Sequence, residues 1–500
     1  MSSNGHVNAA GLHAHLRHPI IDADGHWLEF GPTVREQLRK IGGDRAVDGF
    51  SLFGSQVAKE LSMSVPERRA QRIAQQAFWG LPAKNTRDRA TAMMPRLLHE
   101  RMEELGLDFT VLYPTAGLGV PRIEDAELRR LTCRAFNIFS ADYFRAFSDR
   151  MTPAAVIPMH TPEEAIAELE HAVKQLGLKV VMMGSMMRRP IPAMAEKHPD
   201  MAKASVWFDA LGLDSDYDYD PVWAKCVELG VSPSFHTGGR GYGLRVSPTN
   251  FTYNHIGHFA VASEAVCKAL FMGGVTRRFP RLKFAFLEGG VGWACQLYAD
   301  LIGHWEKRNL EALEEVNPKN LNQKLLLELA EAYGPEGMAE VLRRRDAALD
   351  TAVAPQGASI TGGIDNLDDY AACQIKRPED LRDLFVDNFY FGCEADDPMN
   401  AWAFNRRGNP FGAQLNALFG SDIGHFDVPN MTHVVPEAYE LVEDGLISEN
   451  DFRDFVFANP VRFWGETNPN FFKGTAVEAE AAALLTEGSN GAEPSAQLSK

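Results

Sequence analysis

The chain has 500 residues, of which 45% are apolar and 23% charged, the composition of an ordinary globular protein with enough length to bury a core without disulfide or metal staples. Its 50 basic and 67 acidic side chains leave a net charge of −17, which argues against nucleic acid or an anionic membrane as partner, since both are held by basic patches. Residues 1–19 contain no apolar core of a secretory signal, no apolar run reaches membrane-spanning length, and six scattered cysteines form no CxxC pair, so the expectation is a cytoplasmic protein with reduced thiols.

Residues 1–16, rich in Gly, Asn, His and Ser, read as a flexible arm. Pro19–Asp24 is the first short apolar run, and a long insertion follows at about 27–105 with helical patterns at Val65–Phe78 and Arg87–Leu105. Phe109–Pro114, Ala154–Met159 and Lys179–Gly184 are the next runs. A helix over Glu163–Gln175 opens on Thr161-Pro162, an N-cap followed by a first-turn proline. Ser232–His236 and Lys283–Gly289 come next, with helical stretches at Asp220–Glu228 and Ala260–Met272. A second insertion, at about 306–387, is rich in Leu, Glu and Ala, and the last runs are Asn388–Glu394 and Leu415–Asp422. Residues 474–500 read as a fraying helix followed by a disordered tail.

Eight short apolar runs alternating with helices point to a (β/α)8 TIM barrel of class α/β over 17–473. A doubly wound open sheet is the runner-up. The barrel is preferred because polar side chains suited to metals recur at the ends of several runs. Helical insertions at the βα loops stand at the C-terminal mouth, where they wall or cover a pocket or offer a surface for self-association.

The first run ends Asp24-Gly25-His26. Side chains two apart on a strand share a face, so a carboxylate and an imidazole point together, a pair suited to Zn, Mn or Fe(II). His236 closes the fifth run ahead of glycines, and Asp422 closes the eighth. In a closed barrel these ends surround one axis, so Asp24, His26, His236 and Asp422 can converge. Each alone also reads as a cap.

The segments "IIDADGH", "SFHTGG", "FPRLKFAFLEGG" with "GW", and "LFGSDIGHFD" together resemble the amidohydrolase-related family of the amidohydrolase superfamily, the group that includes aminocarboxymuconate semialdehyde decarboxylase. The resemblance runs from residue 20 to about 430 and implies a metal-dependent barrel with its site at the strand C-termini. It implies Asp24, His26 and His236 as ligands, and Asp422 as a ligand that also handles a proton. The sequence departs from the family at the sixth run, where Glu288 stands in place of the usual catalytic histidine. No lysine stands where dinuclear members carry a carbamylated one, since Lys179 opens its run rather than closing it.

Glu288 is left with three readings: a general acid or base, a metal ligand, or a partner of an arginine such as Arg188 or Arg240. His258, with His255 three residues before it, supplies the missing imidazole or caps and packs a helix start. Glu394 at the seventh run adds a further carboxylate ligand, enough acid in all for two cations. Asp397 reads as an N-cap before Pro398. His425 and Asp427 would orient the ligands. Arg188, with Arg189, suits a substrate carboxylate or equally a solvated surface pair, and Trp27 and Trp293 would line a substrate pocket or pack.

The leading expectation is an enzyme that hydrolyses a small organic substrate with a metal-activated water, using one or two divalent ions of Zn, Mn or Fe per chain. The alternatives are non-oxidative decarboxylation of an aromatic or unsaturated carboxylic acid, a dinuclear non-heme iron monooxygenase, and a barrel that keeps its metal site only as a structural or ligand-binding device.

Overall fold

The computed structural model describes residues 8–77, 83–236, 238–239, 242–317, 320–344 and 367–490. Eight parallel strands follow the eight apolar runs: β1 (Ile21–Trp27), β2 (Phe109–Pro114), β3 (Met151–Ile157), β4 (Val180–Met183), β7 (Pro233–Phe235), β8 (Phe284–Phe286), β9 (Phe389–Glu394) and β10 (Asn416–Gly420). They pair in the order β1-β2-β3-β4-β7-β8-β9-β10, with helices between them, which is a (β/α)8 TIM barrel. Their side chains are buried on both faces almost throughout, which is why the runs are continuously apolar rather than alternating.

Aromatic packing joins strands to helices. Phe235, Phe286 and Phe391 stand in register on adjacent strands and stack at 5.6 and 6.1 Å. Trp293, on the helix Gly292–Arg308, presents its edge to Phe286 and Phe391. Trp27 is buried among Phe136, Phe139, Tyr143 and Phe144. Both rings make the packing contacts that were one of the two expectations for them.

The remaining strands, β5 (Met187–Pro190) and β6 (Val206–Asp209), form an antiparallel hairpin after β4. No apolar run marks it, because its first strand is Met-Arg-Arg-Pro with alternating burial. Arg189 turns inward to Asp209 (2.9 Å) and the Tyr219 hydroxyl (2.8 Å). Arg188 turns outward to Glu124 (3.0 Å), in an exposed ion pair.

The first insertion folds into helices Gly31–Ser62, Val65–Gln71, Thr86–Met93 and Pro95–Leu105. The second of these stops at Arg72, which adopts φ 53°, short of the expected Phe78, itself outside the described residues. This insertion reaches the segment after β7: Gln75 N–H donates to Ser247 C=O and Asn254 Nδ2 to Gln75 C=O. The second insertion carries helices Gln323–Tyr333, Met338–Arg344 and Pro378–Val386. At the N-terminus, Ala9–His13 is a short helix with Ala9 and Leu12 buried, where the composition suggested only a loose arm. At the other end, Glu478–Asn490 is a helix. Among the described residues no helix is long and apolar enough to cross a membrane.

Candidate metal centre

The two ends of the barrel meet at β1 and β10. The backbone there is joined by Asp422 N–H donating to Asp24 C=O (3.0 Å) and His26 N–H donating to Ile423 C=O (2.9 Å). Gly424 lies against His26, with φ 95°, and a Cβ on it would come within 2.6 Å of the His26 carbonyl; only glycine allows so close an approach in that conformation. Two acids and two imidazoles, Asp24, His26, Asp422 and His425, thus face each other across one seam.

β7 and β8 supply the opposite wall. The His236 N–H donates to Met183 C=O (3.3 Å), and Glu288 follows β8 directly. The Nε2 atoms of His26 and His236 are 3.1 Å apart. Around them, Asp24 Oδ1 lies 3.3 Å from His236 and 3.6 Å from His26, Glu288 Oε2 lies 3.4 Å from His236, and Asp422 Oδ1 lies 3.6 Å from His26. His425 Nδ1 reaches Asp422 Oδ1 at 2.5 Å, and its ring stacks on His26 at 3.7 Å.

Two groups of ligand atoms converge here, each within 4.8 Å: Asp24, His26 and His236, and His26, Glu288, Asp422 and His425. His26 belongs to both. Asp24 Oδ1 and Glu288 Oε2 are buried and have no hydrogen-bond partner, a costly arrangement for carboxylates unless a cation meets them. The residues therefore fit a divalent ion, and a set of imidazole and carboxylate donors without thiolate suits Zn, Mn or Fe.

The electrostatics agree with that fit. Burial, reinforced by the neighbouring His425 and His236, pushes the His26 imidazole well below its usual range, leaving the neutral ring that metals bind. Burial also lifts Glu288 and Asp422 well above the carboxylate range; Asp422 raises Glu288 further, and Asp427 raises Asp422. A bound cation would reverse that preference and draw the protons off.

Above the centre is a cavity of about 320 Å³ lined by Glu288, Glu394, Asp397, Asp427, His255 and His258, with Gly289 and Gly290 opening its floor. Glu394, the last residue of β9, stands on its wall and is not among the converging ligand atoms. Withdrawal from bulk water, with Asp427, Asp396 and Asp397 close by, raises its carboxyl to about 7. His258 also lines the cavity rather than entering the ligand set. Its ring lies where a side chain at Gly238 would be: a Cβ there would fall 1.8 Å from Nδ1. Asp397 caps the turn at Pro398 by accepting from Met399 N–H (2.9 Å). No described arginine pairs with Glu288; its ionisable partners are His236 and His425.

Two residues carry more of the site than their sequence positions suggested. His425 joins the ligand atoms themselves instead of merely flanking them. Asp22, fully buried, accepts hydrogen bonds from Thr110, Ser421 and the Asp24 backbone. Strand alternation would send Asp22 to the same face as Asp24, but the pairing register shifts between Asp22 and Gly25, and this bulge turns it aside.

The model of the amidohydrolase family matches residues 21–336. Among solved structures, the chain is similar to an amidohydrolase from Mycobacterium avium subsp. paratuberculosis at 16% identity and a TM-score of 0.49, over 90% of this chain and 100% of that one. It is similar to 2,6-dihydroxybenzoate decarboxylase from Rhizobium at 15% identity and a TM-score of 0.46, over 89% and 98%. A dihydroxybenzoic acid decarboxylase from Polaromonas sp. JS666, crystallised with manganese and the inhibitor 2-nitroresorcinol, is similar at 16% identity and a TM-score of 0.44, over 91% and 97%.

Proposed function

The chain belongs to the amidohydrolase family, and we propose that within it this protein is a metal-dependent hydrolase acting on a small neutral or cationic organic molecule. One observation carries the choice of substrate charge: the described cavity lining holds four carboxylates, Glu288, Glu394, Asp397 and Asp427, and no lysine or arginine. A substrate carboxylate would meet like charges there, whereas an amide, ester or amine would not.

In this reading Asp24, His26, His236, Glu288 and Asp422 hold the ion, with His425 beside them. A divalent cation supplies polarisation of a substrate carbonyl and a lowered pKa for an attacking water. Asp422, beside His26 and His425, would be the carboxyl that holds and passes on a proton during the reaction. Glu288 holds the opposite side of the reacting group. His258 and Glu394, on the cavity wall, contact the substrate. The catalytic unit is taken as 17–473, and six free thiols are in keeping with a reducing compartment such as the cytoplasm.

A second reading, metal-dependent decarboxylation, is favoured by the imidazoles of His255 and His258 on the cavity wall, outside the converging ligand atoms, either of which would supply the proton that replaces CO₂. The experiment that separates them is turnover by the metal-loaded protein on matched panels of neutral or cationic amides and esters and of aromatic carboxylic acids. Hydrolysis in the first panel alone supports the proposal. CO₂ release in the second panel alone overturns it in favour of the decarboxylase.

A further inference from the structure

The seam between β1 and β10 is the one place in the barrel where no strand ladder joins neighbouring strands, and three ligand candidates sit on it. Single backbone bonds cross it beside Asp24, His26 and Asp422. One side chain crosses it as well. Asp22 Oδ1 accepts from the backbone N–H of Ser421 (2.9 Å) and of Asp24 (3.2 Å), and its Oδ2 accepts from the hydroxyls of Ser421 (2.7 Å) and Thr110 (2.6 Å). Ser421 is the residue before Asp422, and its hydroxyl also accepts from Ile423 N–H (3.2 Å). The segment 421–423 is therefore tied on both sides of Asp422, and Asp422 itself is held at φ 49°.

We propose that Asp22 is a positioning residue of the metal centre, whose hydrogen bonds fix the distance between the ligand-bearing ends of β1 and β10. The inference rests on the reading of Asp24, His26 and Asp422 as metal ligands. Asp22 is in neither group of converging donor atoms, and its four hydrogen bonds reach no ligand side chain. It acts through backbone: the amide of one ligand residue and the amide and hydroxyl of the residue preceding another. Groups of this kind hold first-contact ligands in geometry, and their loss typically weakens metal binding about 10- to 100-fold.

The chemistry of the four contacts gives a sharp test. Two donors are backbone amides and accept no substitute, so position 22 must offer an oxygen to them. The other two are hydroxyls, which can accept as readily as donate. An asparagine can therefore keep all four contacts, with its carbonyl toward the amides and its NH₂ toward the hydroxyls. An alanine keeps none.

The experiment is a cobalt(II) titration of the full-length protein freed of metal, read by visible absorption and chelator competition, on wild type, Asp22→Asn and Asp22→Ala, with folding checked by circular dichroism. The proposal predicts that Asp22→Asn binds within about threefold of wild type with the same band shape, while folded Asp22→Ala binds at least about tenfold more weakly with altered bands. Ser421→Ala, which removes one hydroxyl and keeps both amides, gives the same direction at smaller size, about three- to tenfold, and decides the matter where Asp22→Ala fails to fold. Wild-type affinity and bands in folded Asp22→Ala, or in Ser421→Ala where that variant alone is folded, would overturn the inference. Equal weakening in Asp22→Asn and Asp22→Ala would also overturn it, by assigning the effect to charge. Failure of wild type to bind cobalt at all would instead overturn the ligand reading beneath it.

Discussion

Glu288 and Asp422, on opposite sides of the barrel mouth, both leave their strands in the left-handed region, at φ 56° and 49°. Such a conformation costs about 1–3 kcal/mol at a residue other than glycine and persists where function demands it. Here it aims two buried carboxyls at the same imidazoles, and His425 faces both, 2.5 Å from Asp422 and 3.9 Å from Glu288.

Relief of that cost at Glu288 is the first prediction. Glu288→Gly should raise the thermal stability of the metal-free protein by about 1–3 kcal/mol while lowering metal retention and abolishing turnover. Differential scanning fluorimetry beside metal analysis checks it. An unchanged or lower melting temperature in the metal-free variant would contradict the strain assigned to this position.

A pH dependence follows from the raised carboxyls. Asp22 and Glu394 stand at about 6 and about 7, and Glu288 and Asp422 are raised well above their range. A carboxyl whose folded pKa lies above its unfolded value binds more protons when folded, so its contribution falls as pH rises between the two. The chelated protein should therefore lose stability from about pH 4 to pH 7 on account of these groups. The metal-loaded protein should gain over the same window, because ligands must shed protons to bind. Parallel melting curves in chelator and in excess metal test the opposed slopes.

Glu394 separates the cavity wall from the ligand set. Glu394→Gln should leave metal content unchanged and raise KM by about tenfold for a cationic substrate, with kcat less affected. Metal loss in this variant would return Glu394 to the ligands.

The two neighbouring arginines should behave unlike each other. Arg189→Ala breaks a buried pair with Asp209 and should cost about 3–5 kcal/mol. Arg188→Ala removes an exposed pair with Glu124 and should cost about 0–1 kcal/mol. Denaturant titration measures both, and KM should be unmoved in Arg188→Ala.

The eight strands were legible because a parallel sheet buried on both faces must be written in continuous apolar runs, and Phe109–Pro114 matches its run residue for residue. The hairpin β5–β6 escaped because Arg188 and Arg189 mask its pattern, and its inward arginine is made tolerable by Asp209, Tyr219 and the His160 carbonyl, all distant in sequence. Convergence of Asp24, His26, His236, Glu288 and Asp422 was foreshadowed by their places at run ends. The separation of Glu394 and His258 from them was not, since both end or follow strands just as the ligands do, and only the path of the backbone beyond the strand decides where they point. Trp27 and Trp293 were ambiguous for the same reason: a large ring near a strand end serves the pocket on one side and the helix layer on the other. The role of Asp22 was hidden by the bulge that breaks the alternation it would otherwise obey.

Among the described residues His26 alone belongs to both groups of converging ligand atoms, so its removal strikes the centre whether it holds one ion or two. The most direct test is metal content per chain, by mass spectrometry, of wild type and of folded His26→Ala purified side by side. Wild type should carry at least about one Zn, Mn or Fe per chain and His26→Ala next to none. Equal metal in the two proteins, or none in wild type even after reloading, would contradict the account.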